Sequence, residues 1–410
     1  MKRSDFSDFM RSVITLLTGS ALAHVVPLLL GPVLTRLFSP ADLGTFHLFA
    51  AVAANVGVVA CARYEFALPM ARSADEADVL RVLCLRLIVG STVLAVFGAW
   101  GWWLFGANAW VACLPLAVGL AGLLSLATLW AIRSKRFASL AGARVLQYGG
   151  AAFAQVVAGL AGWGVTGLVA APLIAVAVAI VWLRLPLGWS FKKQGTWRAV
   201  AVHYRDFPLL NTPHAFAGAL QDSLALILVA YALGPTSAGF WGLGLRYLKA
   251  PAGFIGGVVS QSLYPKLAVN GPDHDSKLVV LQVMMVLGLL GACFTALLMW
   301  LAPWLFDFLF GPEWHPAGEL ARALAPYIGF HFVASPLGVV TMAWRAQAWA
   351  LRLAVIGQFA FAGALAFGLA IGGLNAAGWM VSLIMSGYFG YYFYRLATWP
   401  VDNFKQDMTS

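Results

Sequence analysis

Charge is what this chain has least of. Of its 410 residues 10% are charged and 61% are apolar, where a soluble domain carries about a quarter charged residues. A water-soluble core of this length is not built on so few charges. Long polar stretches are scarce too, the longest lying at about 187–210. There is no Walker A loop, no HExxH, no GxSxG and no GxGxxG on a strand. The seven histidines are scattered without metal-ligand spacing. The four cysteines, Cys61, Cys84, Cys113 and Cys293, lie in or beside apolar segments and form no CxxC pair. They read as small buried hydrophobes that imply neither metal nor disulfide. These absences leave no catalytic residue to name and make the bilayer the solvent.

What is there is a series of apolar runs. A span needs about 20 apolar residues to cross roughly 30 Å of hydrocarbon. About twelve windows qualify, near 12–35, 43–70, 82–105, 110–132, 138–161, 164–186, 211–233, 236–263, 278–302, 320–343, 350–371 and 374–397. The expected fold class is an all-α polytopic membrane protein. The opening could pass for a secretory signal, but the apolar stretch runs on to Leu34, which favours an uncleaved first span.

The net charge of +10 invites a nucleic-acid reading, and the placement of the charges argues against it. Lys2, Arg3 and Arg11 precede the first span. Arg133, Lys135 and Arg136 fill the loop after the fourth, and Lys192, Lys193, Arg198 and Arg205 the central loop. With the N-terminus inside, nearly every basic residue falls on that side, and the other offers only Arg36 and Arg322. This is the positive-inside bias, with both termini cytoplasmic.

The polar interruption divides the chain into an expected N-terminal set of six spans over 1–190, a cytoplasmic linker over 191–210 and a C-terminal set over 211–410. The two sets look related. Ser39-Pro40-Ala41-Asp42-Leu43-Gly44 opens the second span and Gly234-Pro235-Thr236-Ser237-Ala238-Gly239 the eighth. Both turns lead into apolar helices that end near a proline, Pro69 or Pro265. A parallel repeat of six spans is a transporter architecture. Pro27 and Pro32 in the first span, and Pro208 and Pro213 at the seventh, predict kinks. Gly253 and Gly257 form a small-xxx-small pair that predicts close helix packing.

Charges inside spans are the candidates for function, because a charge in hydrocarbon is costly unless paired or hydrated. Asp222 lies about eleven residues into the seventh span and Arg246 about ten into the eighth, each roughly 15 Å deep at 1.5 Å per residue. An Asp222–Arg246 ion pair is one reading. Lys249 follows three residues later on nearly the same face, so a cationic surface for an anionic, phosphate-bearing substrate is the other. Arg63 and Glu65 lie near the cytoplasmic end of the second span on different helix faces, with snorkelling as the plain alternative. Glu65 and Asp222 are the candidate groups for a coupling proton or Na⁺. Arg36 marks the outer end of the first span. Asp273-His274-Asp275 resembles a DxD sugar-nucleotide element, but no soluble domain surrounds it, and a solvated turn is the plainer reading.

The stretches Leu16 to Ser20, Leu34-Thr35-Arg36-Leu37-Phe38-Ser39-Pro40-Ala41-Asp42-Leu43-Gly44, Arg63-Tyr64-Glu65-Phe66-Ala67-Leu68-Pro69 and Phe240-Trp241-Gly242-Leu243 to Arg246 resemble the polysaccharide-transporter family. That family includes Wzx-type O-antigen and capsule-repeat flippases, within the superfamily of multidrug and toxic compound extruders (MATE) and lipid II flippases. The resemblance implies two six-helix lobes around a V-shaped central cavity. It implies a bacterial cytoplasmic-membrane protein that moves an undecaprenyl-diphosphate-linked glycan to the outer leaflet by alternating access. Arg246 and Lys249 would hold the diphosphate, with Arg63 and Arg36 at the two ends of the path. The implied partners are the lipid-linked glycan, membrane lipid, a glycan polymerase and a chain-length regulator. No cofactor is expected beyond H⁺ or Na⁺ coupling. Two other readings stay open: a coupled exporter of cationic small molecules and a membrane-embedded glycan-assembly enzyme.

Overall fold

Backbone polar groups in lipid must be satisfied within the segment, so an apolar chain of this kind can cross only as helices or a closed barrel. The structure, a computed structural model, describes residues 23–104, 106, 109–186, 197–270, 272–344 and 346–400, and contains no strand among them. After helical residues 23–29 come α1 (Gly31–Leu37), α2 (Pro40–Val58), α3 (Ala74–Leu104) and α4 (Leu114–Arg133). Then follow α5 (Phe137–Arg144), α6 (Ala151–Leu160), α7 (Gly164–Leu183) and the short α8 (Trp197–His203). The chain continues with α9 (Thr212–Asn270), α10 (His274–Phe310), α11 (His315–Ala343) and α12 (Gln347–Ala397). Eight helices among the described residues are long and apolar enough to cross a membrane.

The difference from twelve windows lies in breaks and joins and in the first window, 12–35, much of which lies outside the described residues. α9 breaks at Gly234 (φ 84°, ψ 176°) and α12 at Gly372 and Gly373 (φ 70°, ψ −151° at the second). The conformations at Gly234 and Gly373 suit glycine, and each long helix therefore covers two expected spans. The fifth span is α5 and α6 joined through π-helical Val145–Gly150. The second span is a correction. Its apolar run continues to Met70, but the α-helix ends at Val58, and Tyr64–Met70 is a 3₁₀ segment.

By packing, the chain divides into two compact units, Met1–Leu226 and Ile227–Ser410. The division falls inside α9. The first turns of α9 are tied to α2: Asn55 Nδ2 donates to the Ala219 carbonyl at 3.2 Å and to the Ser223 hydroxyl. Ser223 Oγ in turn donates to the Ala51 carbonyl at 3.2 Å.

In the first unit, α2 starts at a capping box. The Ser39 hydroxyl accepts from the Asp42 amide and the Asp42 carboxylate accepts from the Ser39 amide, each at 3.2 Å, with Pro40 in the first turn. Small residues then let helices approach. A Cβ on Gly122 would sit 2.8 Å from Ile88 and 3.0 Å from Ala60. Leu68, Leu80, Leu126 and Leu183 are fully enclosed.

Several basic residues here hold loops together. Arg133 donates to the carbonyls of Leu68, Ala71 and Ser73 at 2.7–2.9 Å. Arg136 donates to the Leu183 carbonyl at 2.9 Å and Arg81 to that of Pro186 at 2.5 Å. Tyr204, just after α8, donates to Glu76 at 3.1 Å. Burial and that bond hold the Tyr204 phenol above its ordinary pKa.

In the second unit, Trp241, Trp314, Tyr327 and Phe361 are buried. A Cβ on Gly291 would lie 3.0 Å from the Gly329 carbonyl, and one on Gly378 2.9 Å from Ala323. Leu94, Phe97, Trp300 and Phe359 stand exposed on their helices, as lipid-facing side chains do, because lipid tails are as apolar as the residues themselves.

Candidate functional site

Two groups of sequence-flagged residues take shape, one in each unit. In the first unit, α2 does not run straight on into the Arg63–Glu65 stretch. Ala62 (φ 47°) and Arg63 (φ 62°) are both left-handed, at a cost of roughly 1–2 kcal/mol per residue. Arg63 and Glu65 therefore do not sit on two faces of one α-helix, as their spacing suggested. The Arg63 guanidinium lies 4.7 Å from the Phe66 ring centroid, a cation–π arrangement, and its Nε is buried without a hydrogen-bond partner. Glu65 points inward and is 2% exposed. Ser125 Oγ on α4 donates to Glu65 Oε1 at 3.0 Å, and Oε2 has no hydrogen-bond partner. Cys61 and Cys84 stand beside it, with Cys61 Sγ, Cys84 Sγ and a Glu65 oxygen all within 4.8 Å of one another. Their reading as plain buried hydrophobes missed this convergence with an acid.

Arg36 is exposed in the last turn of α1, where a cation complements the carbonyl end of the helix.

In the second unit, α9 restarts at Pro235 after the Gly234 break. Trp241, Leu243, Leu245 and Leu248 are buried on it, while Arg246 and Lys249 are half-buried. Their spacing of three puts them on neighbouring parts of one face. The Arg246 guanidinium makes no hydrogen bond or ion pair among the described residues. Asp222, its expected partner, lies outside the residues whose side chains are described.

The glycines bring a correction. Among the described residues nothing lies within 4 Å of a Cβ placed on Gly253 or Gly257, and the close contact is made instead by Gly256, 3.1 Å from Ser335 Oγ. The pair thus packs against no helix among the described residues. Gly253 and Gly257 are seven and eleven residues beyond Arg246, on its face of the helix. Among the described residues that face carries a cation and then open room.

Asn55, 6% exposed, and Ser223, 4% exposed, escaped the sequence reading. The signal was present: Asn55 is an amide inside an otherwise apolar run. Asp273-His274-Asp275 is a helix start. Asp273 caps α10 by accepting from the Ser276 amide at 2.7 Å. On the α10–α11 connection, Asp307 contacts His315 at 2.8 Å, and Glu319 pairs with Arg322 at 3.1 Å.

A family model described as polysaccharide biosynthesis protein matches residues 33–319, well over half of the chain. The chain belongs to this family. Arg36, Arg63, Glu65, Asp222, Arg246 and Lys249 all fall inside the matched region. Among solved structures, lipid II flippase MurJ in an inward closed conformation has a TM-score of 0.67 at 11% identity, covering 95% of this chain and 88% of that one. A MATE in complex with MaL6 has a TM-score of 0.57 at 16% identity, with 95% of each chain covered. A Vibrio cholerae MATE transporter has a TM-score of 0.52 at 14% identity, covering 94% of this chain and 95% of that one. At these identities the likeness is one of fold alone: the chain folds like a lipid II flippase and like MATE transporters. None of the curated proteins compared matches the chain.

Proposed function

We propose that this protein is a flippase for a lipid-linked oligosaccharide, carrying a glycan repeat unit on undecaprenyl diphosphate across the bacterial cytoplasmic membrane by alternating access. The observation that carries the reading is membership of a polysaccharide biosynthesis family by a chain with a MOP transporter fold. The likeness to a lipid II flippase supports a polyprenyl-diphosphate substrate. The half-buried Arg246–Lys249 pair supplies the positive partners that a diphosphate needs once water is stripped away. Gly253 and Gly257 leave room beside it, and the lipid tail stays in the bilayer. Both termini are cytoplasmic in this reading, following the positive-inside bias. Asp222 or Glu65 would couple transport to H⁺ or Na⁺.

A second reading, coupled export of small molecules, is favoured by the likeness to MATE transporters. A path for cationic drugs should be acidic, and the described part of α9 presents two cations. For a glycan-assembly enzyme the sequence candidate was Asp273-His274-Asp275, whose Asp273 serves as the α10 cap. The deciding experiment is leaflet-resolved detection of the lipid-linked glycan in cells with and without the protein. Accumulation on the cytoplasmic face without it, and outward movement restored by wild type but not by Arg246→Ala, supports the flippase. Normal outward movement in its absence, with no redundant transporter, sinks it, and a drug-resistance assay then tests export.

A further inference from the structure

We propose that Cys61, Glu65 and Cys84 bind a thiophilic d¹⁰ metal ion, with zinc as the common biological case. The three ligand atoms lie within 4.8 Å of one another. Zinc takes thiolate sulfur at about 2.3 Å and carboxylate oxygen at about 2.0–2.2 Å in a tetrahedral shell, which spaces neighbouring ligand atoms by roughly 3.3–3.8 Å. The cluster reaches that shell by side-chain shifts of about 1 Å.

Three observations separate it from a chance meeting of small residues. Glu65 is enclosed and its Oε2 has no hydrogen-bond partner, an arrangement that a bound cation would satisfy. Arg63, two residues away, lies over the Phe66 ring and forms no ion pair with Glu65 within 4 Å among the described residues. The Ser125 hydroxyl holds Glu65 Oε1 at 3.0 Å, the kind of outer contact that fixes a metal ligand in place. Between Cys61 and Glu65 the chain passes through two left-handed non-glycine residues, and backbone strain of this kind collects at ligand clamps.

The ligand chemistry selects the ion. Two sulfurs and one carboxylate exclude Mg²⁺ and Ca²⁺, which take oxygen, and an ion held here would occupy Glu65 and leave Asp222 as the group for H⁺ or Na⁺ coupling. Binding releases the two thiol protons to solvent and leaves the fourth position to water. The bound ion would join the turn after α2 to α3, where Cys84 lies.

The test uses the full chain in reducing detergent solution, in a Cys113→Ala, Cys293→Ala background. Titration with Cd²⁺ should give ultraviolet thiolate-to-cadmium absorption saturating at one equivalent, and Cys61→Ser and Cys84→Ser should each weaken binding at least tenfold. No such absorption, or absorption unchanged in both serine variants, overturns the proposal. Should a serine variant fail to purify, X-ray absorption of the zinc-loaded background protein decides alone. Two sulfur neighbours at about 2.3 Å support the site, and a shell of only oxygen and nitrogen overturns it. These readouts do not involve transport, so the result stands whatever becomes of the flippase reading.

Discussion

The segments that follow Pro40 and Pro235 begin alike in sequence and end differently in structure. Each opens with proline in the first turn of an apolar helix. The first helix stops at Val58, passes through left-handed Ala62 and Arg63 and resumes as a 3₁₀ segment. The second runs unbroken from Pro235 through Pro251 to Asn270. The break gathers buried acid and sulfur in an enclosed place, while the unbroken helix lines up cations and glycines on an open face. A shared opening motif therefore sets where a helix begins, and the residues beyond it decide what the helix can carry.

The comparison can be broken most severely at the cations. Arg246→Ala should reduce glycan translocation on the order of ten- to hundredfold, the equivalent of losing a charge-assisted contact of about 1.5–3 kcal/mol, with membrane insertion intact. Arg246→Lys should retain part of the activity, and leaflet-resolved detection measures both. Unchanged transport in well-expressed Arg246→Ala would remove the cationic face from the mechanism.

Next comes one glycine from each unit. Gly122→Ala should destabilise the protein by about 1–3 kcal/mol through overpacking against Ile88 and Ala60. Gly257→Leu should leave thermal unfolding nearly unchanged and lower transport. Equal thermal losses for the two would mean that the open face of α9 is packed in the membrane.

Backbone strain sharpens the contrast further. Ala62→Gly should raise stability by about 1 kcal/mol, because glycine adopts the left-handed region without a Cβ penalty. Ala250→Gly, in the unbroken helix, should lower it by about 1 kcal/mol. The same chemical change thus has opposite signs in the two segments, read by thermal unfolding in nanodiscs. The smallest effect is at the caps. Ser39→Ala should cost about 1 kcal/mol by removing a capping box. Ser237→Ala should stay within about 0.5 kcal/mol, since Ser237 Oγ only bonds back to the Leu233 carbonyl at 3.3 Å.

Hydropathy makes the helices legible because lipid permits little else. The glycine breaks at Gly234 and Gly372–Gly373 lie close to where the windows separate. The end of α2 at Val58 was not legible, since residues 59–62 and 66–70 are as apolar as a helix would be and no glycine marks the left-handed turn. Arg246 and Lys249 could be placed on one face from their spacing alone. The meeting of Glu65 with Cys84 and Ser125 could not, because it depends on how α3 and α4 pack, and periodicity within one helix says nothing of its neighbours. The glycine pair at 253 and 257 misled for the same reason: a small residue permits close approach and equally permits an opening.

Arg133 speaks in two registers with one side chain. To the insertion machinery it is a unit of positive charge, and lysine would say the same thing. To the folded chain it is a fork that reaches three carbonyls at once, which an ammonium on a flexible stem does not reproduce. A saturating mutational library should therefore tolerate lysine poorly at 133 and arginine freely at the neighbouring Lys135. The orientation in the membrane would be inherited unchanged, and the heat resistance would not.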